Sequence, residues 1–162
     1  METTITDYIN VTDKLKEFDL NNIETITLLP YNFDTVARKE DLIYDNSVKT
    51  IRTLLRIAEL PDERIEKHGE TIGYRQLNHF EWLAPTFFIS YSILTGNPDL
   101  ISLSLSIVAN YLTDFFKGIS GDKKVKVEIV VEKEKGKTFK KVTYEGDSKG
   151  LSELAEIIKN MK

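Results

Sequence analysis

Apolar side chains recur at helical spacing near both ends and in the middle of the chain, and at alternate positions in one segment near residue 128. Tyr8, Val11, Leu15 and Phe18 fall at i, i+3, i+7 and i+10 behind Thr6, a capping residue, and predict a short amphipathic helix. Asp19–Asn22 breaks it. Glu24–Leu29 reads as a strand that Pro30 ends, and residues 31–45 show no period. Val48, Ile51, Leu54, Leu55 and Ala58 line one face of a second helix, capped by Asp45 or Asn46 and stopped before Pro61. Residues 61–75 are polar, contain two glycines and read as a short helical turn and a loop.

From Trp82 to Phe116 the only charged residues are Asp99 and Asp114. Gly96-Asn97-Pro98-Asp99 divides this stretch as a helix stop followed by a helix start, so it predicts an apolar αα-hairpin. Ile101–Ile107 alternates like a strand. Against that, Ser102, Ser106, Asn110 and Asp114 form a polar stripe at i, i+4, i+8 and i+12, with Ile101, Leu105, Val108, Leu112 and Phe115 opposite, and the helix reading prevails. Residues 118–122 read as a linker. Val125, Val127, Ile129 and Val131 then alternate as a strand, a turn contains Gly136, and Phe139–Tyr144 forms its partner. Ser148 caps a last helix with Leu151, Leu154, Ala155, Ile158 and Met161 on one stripe. The expected architecture is α+β in a single domain: an N-terminal helical and irregular part (1–81), a central apolar helix hairpin (82–117) and a C-terminal ββα unit (123–162).

A chain of 162 residues with 41% hydrophobic and 30% charged side chains is that of an ordinary globular domain. It has no cysteine, which removes disulfides, thiolate zinc sites and a thiol nucleophile. METTITDYIN places two acids and no base before Lys14, so no secretory signal is expected and a cytoplasmic address is. Neither arm of the apolar hairpin reaches the roughly 20 apolar residues a membrane span needs. The net charge of −4 is unevenly spread, at −8 over residues 1–116 and +4 over 117–149. Lys123, Lys124, Lys126, Lys140 and Lys141 raise the question of nucleic acid. They alternate with Glu132, Glu134 and Glu145 and include no arginine, so a solvated strand face is the expectation.

No phosphate loop, nucleophile elbow or deaminase signature occurs. One constellation remains. Both histidines begin a His-x-Glu triplet, and His68, Glu70, Arg75, His79 and Glu81 lie within fourteen residues, where imidazole and carboxylate could ligate a metal or share acid–base work. Gly69 and Gly73 argue against one continuous helix, and surface histidines beside a loop are the preferred reading. Arg52, Arg56, Arg64 and Arg75 could bind an acidic group, but pairing with Glu59 or the acids of the neighbouring loop is favoured. Trp82 beside Pro85, Phe87 and Phe88 reads as a core anchor.

Trp82-Leu-Ala-Pro85, Asn97-Pro-Asp-Leu-Ile101, Ala109–Lys117, Tyr144-Glu-Gly146 and Gly150-Leu-Ser-Glu-Leu154 occur in an order that resembles small bacterial accessory proteins associated with effectors of conflict or defence systems. The resemblance covers residues 82–160, and it implies an accessory or adaptor role and supplies no active-site residue. The expected function is therefore a non-catalytic protein-interaction module with no cofactor, the alternative being a small enzyme or metal-dependent protein using residues 68–81. A protein partner or a homo-oligomer, foremost a dimer, is expected; nucleic acid and membrane are not. The surface would be the Val125–Tyr144 hairpin edge or the hairpin helices, with Leu100, Leu103, Ile107 and Tyr111 as an outer flank.

Overall fold

The computed structural model describes residues 2–76, 82–83, 85–118 and 124–161. It contains strands β1 (Glu2–Asp7), β2 (Ile26–Leu29), β3 (Ile43–Asp45), β4 (Gly73–Arg75), β5 (Trp82–Leu83), β6 (Thr86–Ile89), β7 (Val125–Glu134) and β8 (Thr138–Gly146). Helices are α1 (Val11–Glu17), α2 (Ser47–Ile57), α3 (Tyr91–Gly96), α4 (Asp99–Phe115) and α5 (Leu151–Lys159). A mixed sheet in the order β1–β8–β7–β6–β2 organises the molecule, with β5 adding two residues of parallel pairing at the start of β7. β3 and β4 form a separate parallel pair.

Each face of the sheet carries its own core. On one face Ile26, Leu28, Phe87, Ile89, Val127, Ile129, Val131, Val142 and Tyr144 meet the buried sides of α2, α4 and α5. On the other, Leu29, Phe88, Val130 and Phe139 pack under Val11, Leu15 and Phe18 of the α1 region and under Phe33 and Ile65.

This arrangement corrects the expected fold in two places. The N-terminal part is not a helical region: Glu2–Asp7 is a strand paired antiparallel to β8, and Thr6 lies inside it. α1 starts later, capped by Asn10, whose side chain accepts the Asp13 N–H at 3.0 Å. Four of the six β1 residues are Thr, Thr, Ile and Thr, which suit a pleated surface but show no apolar alternation, because only Ile5 is aliphatic.

The central αα-hairpin is also replaced. Its first arm is β6, buried along its whole length between β2 and β7, followed by the six-residue α3. A strand covered on both faces reads as a continuous apolar run, and Thr86-Phe-Phe-Ile89 is one. Because β6 and β7 are parallel, the chain between them must cross over, and α3 and α4 are that crossover.

Glu132 in β7 sits at the junction. Its carboxylate is buried and accepts the Tyr91 N–H at the start of α3 (2.8 Å) and the Gly136 N–H in the β7–β8 turn (2.9 Å). Asn10 binds the same turn by donating to the Gly136 carbonyl at 3.0 Å.

Candidate functional site

A buried polar cluster lies where α2 meets the segment after Pro61. Arg52 is on the inner face of α2, 4% exposed. Its Nη2 donates to the Tyr44 hydroxyl at 3.1 Å, and that hydroxyl donates to Glu66 Oε2 at 3.1 Å. The guanidinium carbon stands 4.7 Å from the Tyr44 ring centre. Arg52 Nε faces Asp62 at 3.4 Å, and Nη1 faces Glu66 at 3.8 Å. These contacts are ion pairs without aligned hydrogen bonds, and Nε, Nη1, Asp62 Oδ1 and Glu66 Oε1 lack a hydrogen-bond partner.

Burial raises the Asp62 carboxyl above its ordinary value, against the opposing pull of Arg52 and Arg64. Burial likewise pushes the Tyr44 hydroxyl well up, so it stays a neutral donor between the guanidinium and Glu66. A groove of about 390 Å³ opens beside the cluster, lined by Arg52, Arg56, Glu59, Leu60, Asp62 and Arg64. Its three arginines stand against Glu59 and Asp62 in the lining and against Glu66, which faces Arg52 and Arg64 at 3.8 and 4.0 Å, so the groove and the cluster together carry no surplus positive charge. The buried cluster ties the 62–66 segment to α2, and the same segment contacts two threonine side chains at β2 and the chain entering it. Thr25 donates to Glu63 Oε1 at 2.8 Å, the Thr27 hydroxyl donates to the Glu63 carbonyl, and the Asn21 N–H donates to the Ile65 carbonyl at 2.8 Å.

The His-x-Glu residues are distributed along this loop. His68 is exposed in a turn. Glu70 pairs with Lys39 at 2.5 Å, which holds its carboxyl below the ordinary range, while Arg75 pairs with Asp45 at 2.6 Å and stacks 3.3 Å from the Tyr31 ring centre. Glu70 and Arg75 thus have separate partners on separate elements. His79 and Glu81 lie outside the described residues, and among those described no group of three His, Asp or Glu side chains is placed to hold a metal ion. Of the lysines weighed for nucleic acid, Lys140 pairs with Asp7 and Lys126 with Glu128 at 3.7 Å, while Lys123 lies outside the described residues.

Two surfaces stand out instead. Leu103, Ile107, Tyr111 and Phe115 run along α4 at i, i+4, i+8 and i+12; Leu103 is 51% and Phe115 44% exposed, while Ile107 and Tyr111 are half-buried. The Tyr111 and Phe115 rings are 6.1 Å apart. The second surface is the outer edge of β1, where Ile5 is 49% exposed. The Val125–Tyr144 hairpin edge expected from sequence is not free, because β6 and β5 flank β7 and β1 covers β8. No helix among the described residues is long and apolar enough to cross a membrane. No family model, curated protein or solved structure matches this chain.

Proposed function

We propose that this chain is a non-catalytic protein-interaction module of the cytoplasm, with the outer flank of α4 as its docking surface. Exposed Leu103 and Phe115 carry the reading: the inner face of the same helix already buries Ile101, Leu105, Val108 and Leu112, and Ile107 between them is only partly covered by the core. The accessory role implied by the resemblance over residues 82–160 is proposed with it.

The occupant that fits is an amphipathic helix of a partner protein with basic residues at its ends. Both charges of α4, Asp99 and Asp114, are acidic. Two α4 helices packed antiparallel about Ile107 would set Asp114 of each beside Asp99 of the other, where Lys159, 4.0 Å from Asp99, offsets only one of the two negative charges at each end. A basic partner removes that repulsion.

Affinity purification from the native cell of the wild-type chain and its Leu103→Lys variant tests the reading. The wild type should retain one stoichiometric protein, cross-linked through an amphipathic Lys- or Arg-bearing helix, and Leu103→Lys should lose it. The variant should keep its unfolding free energy in urea within about 0.5 kcal/mol, as exposed substitutions do. Leu105→Lys, at a position 3% exposed, should fail to fold. Identical proteins on wild type and Leu103→Lys, or turnover of a substrate from a broad hydrolase panel, would overturn the proposal.

A further inference from the structure

The two outer edges of the sheet are treated differently. At β2 the Thr25 and Thr27 side chains bond to Glu63 of the 62–66 segment, whereas β1 lies along β8 with no strand on its other side among the described residues, and all its residues but the half-buried Thr3 are exposed. An open edge is normally blunted by lysine, proline or a bulge. Glu2-Thr-Thr-Ile-Thr-Asp7 has no lysine or proline, and its register with β8 is unbroken.

The hydrogen-bond parity of this edge follows from its neighbour. Asp7 stands opposite Lys140, and the next residue, Tyr8, donates its N–H to the Phe139 carbonyl at 3.0 Å. Antiparallel pairs alternate between residues that exchange both bonds and residues that exchange none. Tyr8, Thr6, Thr4 and Glu2 therefore bond to β8, and the N–H and C=O groups of Thr3, Ile5 and Asp7 point to the open side.

The side chains add a second constraint. Ile5 stands opposite Val142, Val142 opposite Ile129, Ile129 beside Phe87 and Phe87 beside Leu28. This is one apolar row across the full width of the sheet. Its four inner members are at most 1% exposed, and only Ile5, at 49%, is left half uncovered.

We infer that β1 pairs antiparallel with β1 of a second copy, about a twofold axis through Ile5, so that two sheets become one. With both Ile5 residues on the axis, the outward groups match in parity: Ile5 meets Ile5, Thr3 meets Asp7 and Thr4 meets Thr6 of the second copy. No like charges stand opposite each other, and β-branched side chains meet on both faces. The apolar row then continues unbroken from Leu28 of one copy to Leu28 of the other. Shifting the register by two residues keeps the backbone parity but sets Ile5 against Thr3 or Asp7 and leaves it half covered. The interface is isologous and closes on itself. It leaves the α4 flank to the partner protein, and each surface is tested without the other.

The chain has no cysteine, so single substitutions report the register cleanly. Directly opposed residues of this kind sit about 5.5 Å apart between Cα atoms, within the reach of a disulfide. Purified Ile5→Cys should cross-link to a covalent dimer under mild oxidation. Thr3→Cys, whose copies would lie about 13 Å apart in this register, should not. Light scattering of the unmodified protein should give twice the 18.6 kDa of the chain, and Ile5→Lys, which sets two ammonium groups face to face, should give the monomer while keeping its circular dichroism. An 18.6 kDa wild type at all micromolar concentrations overturns the inference. So does a dimer that survives Ile5→Lys, or one cross-linked as well through Thr3→Cys as through Ile5→Cys. If Ile5→Lys does not fold, the pair of cysteine variants decides. Leu103→Lys should leave this dimer intact, so loss of the partner protein and loss of the dimer are read separately.

Discussion

Arg52 shows how one residue can organise a loop. It is a helix residue with its charge turned inward, held by Tyr44, Asp62 and Glu66. Removing one member of such a cluster leaves the others buried and uncompensated. Arg52→Ala should therefore cost about 3–5 kcal/mol in urea unfolding, far more than the same change at exposed Arg56. The pH response has a definite sign. A carboxyl whose folded-state pKa is raised binds more protons folded than unfolded. Asp62 thus contributes stability that is fully present below the ordinary value of 3.8 and is lost as pH rises through the raised value. Asp7, Asp19, Asp41 and Glu70, held low by their lysine or arginine partners, act oppositely: their stability is present above the ordinary value and is lost as pH falls through the lowered one. Asp62→Asn should remove the downward slope just above pH 3.8 and leave the acid limb in place; an unchanged slope in unfolding free energy against pH would refute this. The sequence reading pairs Arg52 with Glu59 or the acids of the neighbouring loop, and Asp62 and Glu66 are such acids. It did not say that Arg52 is buried, because an arginine on the flank of an apolar stripe and one just inside it have the same spacing.

At the scale of elements, the joints matter more than the helices. Glu132 in the sequence is one of several acids interleaved with lysines and reads as part of a solvated face. In the fold it is buried, because its row continues into Phe139 beneath the α1 region, and both carboxylate oxygens accept backbone N–H groups. Hydrogen bonds to a charged acceptor contribute about 1.5–3 kcal/mol each, so Glu132→Ala should lower stability by roughly 3 kcal/mol, and Glu132→Gln by less, in urea titration. An effect under about 0.5 kcal/mol would mean that water replaces the carboxylate. Local periodicity was sufficient for the start of α2, the length of α4, the β7–β8 alternation and the stripe of α5. It failed at β1 and β6 for opposite reasons. β1 has too little apolar character to alternate, and β6 has too much, since a strand buried on both faces has no polar side.

Across the whole molecule, β7 is the centre: it pairs with β8, β6 and β5, and its apolar residues serve both cores. Local opening frees the edges first. In hydrogen exchange the amides of Val127, Ile129 and Val131 should be the slowest, and those of Thr3, Ile5 and Asp7 should be slow in the wild type but fast in Ile5→Lys. Equal exchange at Ile5-flanking amides in dimeric and monomeric protein would contradict the edge pairing. Bonds to Asn21, Thr25 and Thr27 explain why the polar 61–75 stretch, a loop by any sequence criterion, is held against the body: the polar groups on both sides need partners.

The order of residues alone determined the features that depend on neighbours within one or two turns: the stripes of α2, α4 and α5, the Gly136 turn and the absence of thiol chemistry. Those signals are written in spacings of two, three and four, and each is complete inside its own segment. Which strands stand side by side was decided only in three dimensions. That Glu2–Asp7 would find β8 across some 130 intervening residues, or that Thr86–Ile89 would become a strand between β2 and β7, depends on hydrogen bonds made far along the chain and on apolar surface that only the assembled sheet supplies. The same cause separates the two surfaces of interest. Leu103 was legible as an outer-flank residue of a helix, because helical phase assigns it. Ile5 was not, because its exposure comes from standing last in a row that five strands build together.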